Sequence, residues 1–147
     1  MIALLQRVSE ATVRVSGQVV GQIGAGLLVL VCAEPSDTDI QAAKLVDKLL
    51  RLRVFADADG KMNRSLVDVA GGLLIVSQFT LAADASKGSR PGFSAAAGPV
   101  LGLALYQTVL RIARQRHPVV AAGVFGADMQ VALVNDGPVT IPLYIRP

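Results

Sequence analysis

At 147 residues the chain is long enough to bury one core, and its 52% share of hydrophobic residues argues against extended disorder. A net charge of +3 permits an anionic partner without requiring one. The single cysteine, Cys32, rules out an internal disulfide; the apolar run Leu27–Ala33 is far shorter than the ~18–20 residues of a membrane span; and MIALLQRVSE lacks the basic lead of a signal peptide, so a reduced, cytoplasmic setting is expected.

The first 33 residues read as short strands. Ile2 to Val8 is apolar with polar interruptions, and Ala11, Val13 and Val15 alternate with Thr12, Arg14 and Ser16, the period of a half-buried strand. SGQV (Ser16–Val19) and GQIGAG are turn signals ahead of the buried run Leu27–Ala33. A helix is expected next, opened by a Ser36/Asp39 capping box behind Pro35 and continued by Ile40, Ala43, Val46 and Leu50 at helical spacing. Leu52–Ala56 reads as a strand, ADADGK (Ala56–Lys61) as a turn, and Gly71-Gly72 as the lead into a second buried strand, LLIVSQF.

Ala82 to about Gly98 is a long irregular stretch, and loops of this length in a compact domain are often functional. Pro99 suits the first position of a second helix through roughly Arg116. With Val100, Leu101, Leu103, Leu105, Val109, Leu110 and Ile112 around its circumference, that helix is expected to be deeply packed. Two final strands, Met129–Val134 and Val139–Ile145, flank NDGPVT. The pattern is one α+β domain over residues 1–147, without linker, repeat or low-complexity segment.

Exclusion narrows the chemistry. The only histidine, His117, sits before Pro118 at a helix end, and no G-x-S-x-G elbow exists to partner it. One His and one Cys cannot found an ordinary zinc site, and neither a P-loop nor a dinucleotide fingerprint is present. Two stretches remain. In SQFTL (Ser77–Leu81) a regular strand would set Ser77 and Phe79 opposite Gln78 and Thr80; this is either a strand end satisfying its own backbone or a pocket in which Thr80 and nearby amides hold an ester or carbonyl. NDGPVT is either an Asp-Gly hairpin with Pro138 opening the next strand, or a stiff backbone surface poor in side chains.

Together these stretches resemble the D-aminoacyl-tRNA deacylase family. The resemblance runs through MIALLQRV, GQIGAGLLVLV, FADADGKMN, SQFTLAAD, the KGSRPGFS loop, FGADMQV and VNDGPVT, with SQFTL and NDGPVT matching the family's two signature stretches. The helix start PVLGLALY is more apolar than is usual for that family. The resemblance implies a β-rich α+β fold, largely antiparallel, with two longer helices, assembled as a homodimer. It implies hydrolysis of the ester between a D-amino acid and the 3′-terminal adenosine of tRNA, and of mischarged glycyl-tRNA, with no metal, cofactor or membrane partner. It carries Ser77, Gln78, Phe79 and Thr80 to the pocket of one subunit, and Gly137 and Pro138, joined by a cis peptide, to the same pocket from the other. Phe125 and Met129 match positions lining the adenosine or aminoacyl site. The RNA's own 2′-hydroxyl would assist the attack while the protein positions the ester and rejects L-aminoacyl substrates. Two other readings stand beside it: an ester hydrolase using Thr80 or Ser77 as nucleophile, and a non-catalytic RNA-binding module, which an aromatic content of 4% disfavours.

Overall fold

In the computed structural model, which describes residues 1–146, the chain is organised around one long strand, β1 (Ile2–Val15). Its first half pairs antiparallel with β3 (Gly26–Cys32) and its second half with β2 (Gln18–Ile23). Along its opposite edge runs β8 (Gln130–Tyr144), antiparallel over nearly the full length. Beyond β3 the sheet continues through β6 (Gly72–Ser77) to β7 (Val120–Ala122), and both of these steps are parallel. A small antiparallel pair, β4 (Phe55–Ala56) and β5 (Met62–Arg64), lies apart.

The sheet is therefore largely antiparallel, as expected, and differs from a purely antiparallel one in its two parallel steps. Helices α1 (Asp39–Arg51) and α2 (Pro99–Arg116) explain the difference. α1 lies in the connection from β3 to β6 and α2 in that from β6 to β7, and a parallel pair needs such a crossover. Buried on both faces, β3 and β6 are near-continuous apolar runs, as parallel strands under cover must be.

One core lies beneath the helices, where Leu5, Leu27, Val29, Leu73 and Ile75 meet Leu45, Leu49 and Val109. On the other side of the sheet Val8, Val13, Leu28, Leu74 and Val76 form a second core, covered by Val131 and Leu133 of β8. β1 contributes Ala3 and Leu5 to the first core and Val8, Ala11 and Val13 to the second. The β1–β8 ribbon crosses from one to the other where its register breaks, around Arg7.

Several local expectations shift. α1 begins two residues later than the Ser36/Asp39 box would place it. Thr38 is the cap, its hydroxyl accepting the Ile40 amide at 3.3 Å while the Gln41 side chain accepts the Thr38 amide at 2.8 Å. Its buried face is consequently Gln41, Ala42, Leu45, Val46, Leu49 and Leu50, leaving Ile40 exposed. The strand expected over Leu52–Ala56 shrinks to Phe55–Ala56. α2 keeps its expected bounds, with Pro99 in the first turn, but only its later turns are deeply packed; Val100 is 87% exposed, and Leu101 and Leu103 also face outward. The two final strands are one, with no hairpin between them.

Among the described residues, no helix is long and apolar enough to cross a membrane.

Candidate active site

A cavity of about 700 Å³ opens at the carboxyl ends of the parallel pair β3 and β6. Ligands gather at that edge in sheets with parallel strands because the connections diverge there. Its walls come from the end of β3 (Val31–Ala33), the end of β6 with the residues that follow (Val76–Phe79), the returning loop (Phe93, Ala96–Gly98) and the first turns of α2 (Pro99, Gly102, Tyr106). Phe125, Met129 and Val131 close the far side.

Ser77 is the last residue of β6. After it the chain does not continue as strand: Gln78 donates its amide to the Val31 carbonyl at 2.7 Å, and Phe79–Ala82 form a 3₁₀ turn. The strand alternation expected through SQFTL therefore stops at Ser77. The change leaves the first amides of the turn, those of Phe79 and Thr80, without partners inside it. Ser77, Gln78 and Phe79 line the cavity, whereas Thr80 stands just outside with its hydroxyl hydrogen-bonded by the Gln78 side-chain amide. Phe79 is 57% exposed at the mouth and meets the edge of Phe93 with ring centres 5.0 Å apart.

Phe125 and Met129 are both brought to this cavity. Gly123 seats Met129, since any side chain at 123 would lie 2.7 Å from its sulfur. The Val124 amide also donates to that sulfur at 3.4 Å.

Two lining residues carry no signal in the sequence. Tyr106 reaches from α2 to donate its hydroxyl toward the carbonyls of Ile75 (2.9 Å) and Gly123 (3.2 Å), tying β6 to the segment after β7. Burial pushes its pKa up to about 12, so it stays a neutral donor. Cys32 points its sulfur at the carbonyls of Ala33 and Phe79, and burial, reinforced by Glu34, raises its pKa. A protonated, carbonyl-bound thiol is a poor nucleophile. None of the lining side chains is a carboxylate, an imidazole or a guanidinium. His117 is elsewhere, capping α2, buried, with Nε2 2.6 Å from the Gly71 carbonyl. Among the described residues, no three His, Cys, Asp or Glu side chains gather as a metal site would require.

Gly137 and Pro138 do not line this cavity. They sit in the register break of β8, where Gln6 pairs with Thr140 and Val8 with Asn135, so Asp136–Val139 bulge out opposite Arg7 alone. Arg7 holds the bulge: Nε donates to the Asp136 carbonyl at 2.8 Å and Nη1 to the Val54 carbonyl at 2.6 Å. The Gly137–Pro138 peptide is cis, and Gly137 has φ +142°, a region side chains avoid. A Cβ there would lie 2.9 Å from the Val139 nitrogen and 3.2 Å from the Arg7 guanidinium. Both residues are exposed and face away from the core.

Comparison with known proteins finds relatives along nearly the whole chain. The family model described as D-Tyr-tRNA(Tyr) deacylase matches residues 4–144. The D-aminoacyl-tRNA deacylase of Aromatoleum aromaticum is 65% identical over 147 residues, covering 100% of this chain and 97% of its own. That of Methylibium petroleiphilum is 68% identical over 145 residues, covering 99% and 95%. A solved structure titled c-Myc DNA Unwinding Element Binding Protein superposes over 100% of both chains with a TM-score of 0.94 at 39% identity. Another, titled as a probable eukaryotic D-amino acid tRNA deacylase, covers 97% of each chain with a TM-score of 0.85 at 20% identity and shares the fold. A family match across almost the whole length, with relatives this similar end to end, establishes that the chain belongs to the D-aminoacyl-tRNA deacylase family.

Proposed function

We propose that this hydrolase cleaves the ester linking a D-amino acid, or glycine, to the 3′-terminal adenosine of tRNA. The observation that carries the reading is a cavity lined at one end by Ser77, Gln78 and Phe79, roomy enough for a nucleoside and without a basic or acidic side chain in its walls. Water attacks the ester carbonyl, the 3′-oxygen leaves with a proton, and the products are the free amino acid and tRNA. With no protein base in the lining, the vicinal 2′-hydroxyl of the substrate assists the attack, and the enzyme contributes orientation. In this reading the amides of Phe79 and Thr80, without partners inside the 3₁₀ turn, receive the developing oxyanion, while Gln78 holds the Thr80 hydroxyl.

Selectivity, in this reading, belongs to Gly137 and Pro138 of a second copy. The bulge is exposed and forms no part of the lining of its own cavity. Among the described residues β8, which carries it, pairs on one edge alone, with β1, and it exposes Val134 (50%) and Tyr144 (59%). An open, apolar edge of this length invites pairing with another chain. In a homodimer the bulge of one subunit would cover the cavity of the other near Phe79. An L-side chain would then collide with the Gly-Pro backbone, a D-side chain would point outward, and glycine would meet no obstacle. Charging one tRNA body with a D-amino acid, its L-enantiomer or glycine provides the test. D-aminoacyl and glycyl esters should be lost rapidly and the L-ester retained. Equal loss of the L-ester overturns the selectivity, and no loss of the D-ester overturns the activity.

A further inference from the structure

The KGSRPG loop lies beside the cavity without forming part of it. The chain leaves the cavity wall after the 3₁₀ turn and returns at Phe93. It is closed by paired backbone bonds between Asp84 and Gly92, each 2.8 Å, and anchored by Phe93 against Phe79. Lys87 and Arg90 stand on the tip, both exposed, and among the described residues neither enters a salt bridge or a side-chain hydrogen bond. Lys87 is three residues from Asp84 and Arg90 two from Gly92, so both stay within about 10 Å of the closure. Asp84 is the loop's only acid, and its carboxylate accepts the Ser86 amide at 2.9 Å. From there to Asp128 the chain contains no Asp or Glu, although it carries Lys87, Arg90, Arg111, Arg114 and Arg116. The tip of the loop is thus cationic, with Asp84 at its closure as its one acid.

Resting on the reading that an aminoacyl-tRNA end enters the cavity, we infer that Lys87 and Arg90 grip the phosphodiester backbone next to the terminal nucleoside. They are positioning residues for the RNA and touch neither the ester nor the base. A nucleoside seated in the cavity must pass its 5′-phosphate out through the mouth, where Phe79 and Phe93 mark the base of the loop. Two exposed cations there contribute through neutralised phosphates, an attraction that salt weakens in proportion to the contacts made.

The test compares the unmodified protein with a Lys87→Gln/Arg90→Gln double variant and a charge-conserving Lys87→Arg/Arg90→Lys one. Binding of an uncharged RNA hairpin with an unpaired 3′ end is measured against salt, and deacylation is measured on D-aminoacyl-tRNA and on phosphate-free D-aminoacyl-adenosine. The Gln variant should raise KM for the tRNA about ten-fold with kcat unchanged, and flatten the slope of log affinity against log salt by about 1.4, the value for two single-strand phosphates. D-aminoacyl-adenosine turnover should not change, and the charge-conserving variant should behave like the unmodified protein. Equal loss on the phosphate-free substrate, or an unaltered salt slope, overturns the assignment. If RNA binding depends on the two cations while no D-ester is hydrolysed by any form, the proposed activity fails and the loop's role stands.

Discussion

Arg7 is the residue on which the proposed chiral filter depends most directly within its own chain. Its guanidinium joins two carbonyls from distant segments, Val54 at 2.6 Å and Asp136 at 2.8 Å. Its approach to the Asp136 carboxylate, at 3.6 Å, adds little because that carboxylate is 61% exposed. A hydrogen bond to a charged group contributes about 1.5–3 kcal/mol, and water can take up part of the loss at this half-buried position. Arg7→Ala should therefore cost about 2–3 kcal/mol, lowering Tm by about 4–12 °C for a chain of this size. The selectivity effect should be larger than the effect on turnover, since the cavity itself does not involve Arg7. If the freed bulge loses only about 1.4 kcal/mol of its clash with the L-substrate, discrimination falls about ten-fold. Arg7→Lys, able to serve one carbonyl at a time, should lie between the two. Thermal unfolding and paired D- and L-aminoacyl-tRNA deacylation read both quantities. A variant that loses the stability but keeps full discrimination would show that the bulge's orientation is not what the substrate meets.

Thr80→Ala should retain measurable turnover, because its hydroxyl is fixed by Gln78 outside the cavity, whereas replacing the terminal 2′-hydroxyl of the tRNA by hydrogen should be far more damaging; the opposite ranking in single-turnover assays would restore a protein nucleophile. Tyr106→Phe removes a donor whose main acceptor, the Ile75 carbonyl, keeps the Gly123 amide at 3.0 Å, so a loss of about 1 kcal/mol in urea unfolding is expected. With its pKa near 12, the pH–rate profile below that value should not change shape. Burial alone would raise the Glu34 carboxyl, but hydrogen bonds from the Met1 ammonium (2.8 Å) and from Arg146 hold it below its ordinary 4.5. A carboxylate depressed in the fold stabilises above its unfolded pKa and loses that contribution as pH falls through the folded value, so Glu34→Gln should lower stability at neutral pH and shrink the loss measured below about pH 4.5.

Where structure follows from neighbouring residues, the sequence was legible. The ADADGK turn forms as its chemistry dictates, the Asp57 carboxylate accepting the amides of Asp59 and Lys61 at 2.9 Å with Gly60 at φ +78°. α2 begins at Pro99 and ends at Arg116, and β3 and β6 fill the two long apolar runs. What sequence could not settle is decided by contacts across the chain. The sequence marks Ser36/Asp39 as the start of α1, and the fold uses Thr38/Gln41 instead. Asp37 accounts for the shift, because its carboxylate binds the Met1 ammonium at 2.7 Å and the Glu34 amide at 2.7 Å, holding residues 34–37 in a turn. NDGPVT has every mark of a hairpin locally, yet β1 runs along both halves of β8 and keeps the chain extended apart from one bulge. The parallel steps of the sheet depend on where the helices cross, and Cys32 and Tyr106 reach the cavity only once β3, β6 and α2 are packed. SQFTL was found by exclusion and by its match to a family signature, but its turn after Ser77, which frees the amides of Phe79 and Thr80, goes with the Gln78–Val31 bond.

The shared-cavity arrangement has one direct test, complementation between two defective subunits. Ala97→Trp fills the cavity of its own chain, and Gly137→Val crowds the bulge against Val139 and Arg7. Each variant alone should be impaired: the first should lose hydrolysis of D-aminoacyl-tRNA, and the second should lose its discrimination, its hydrolysis, or both. Mixed and re-associated, the two should recover D-selective hydrolysis in roughly a quarter of all cavities, those of heterodimers that pair the intact cavity of one chain with the intact bulge of the other. No recovery in a mixture shown to contain heterodimers would contradict the account, as would full D-selective activity in a Gly137→Val homodimer.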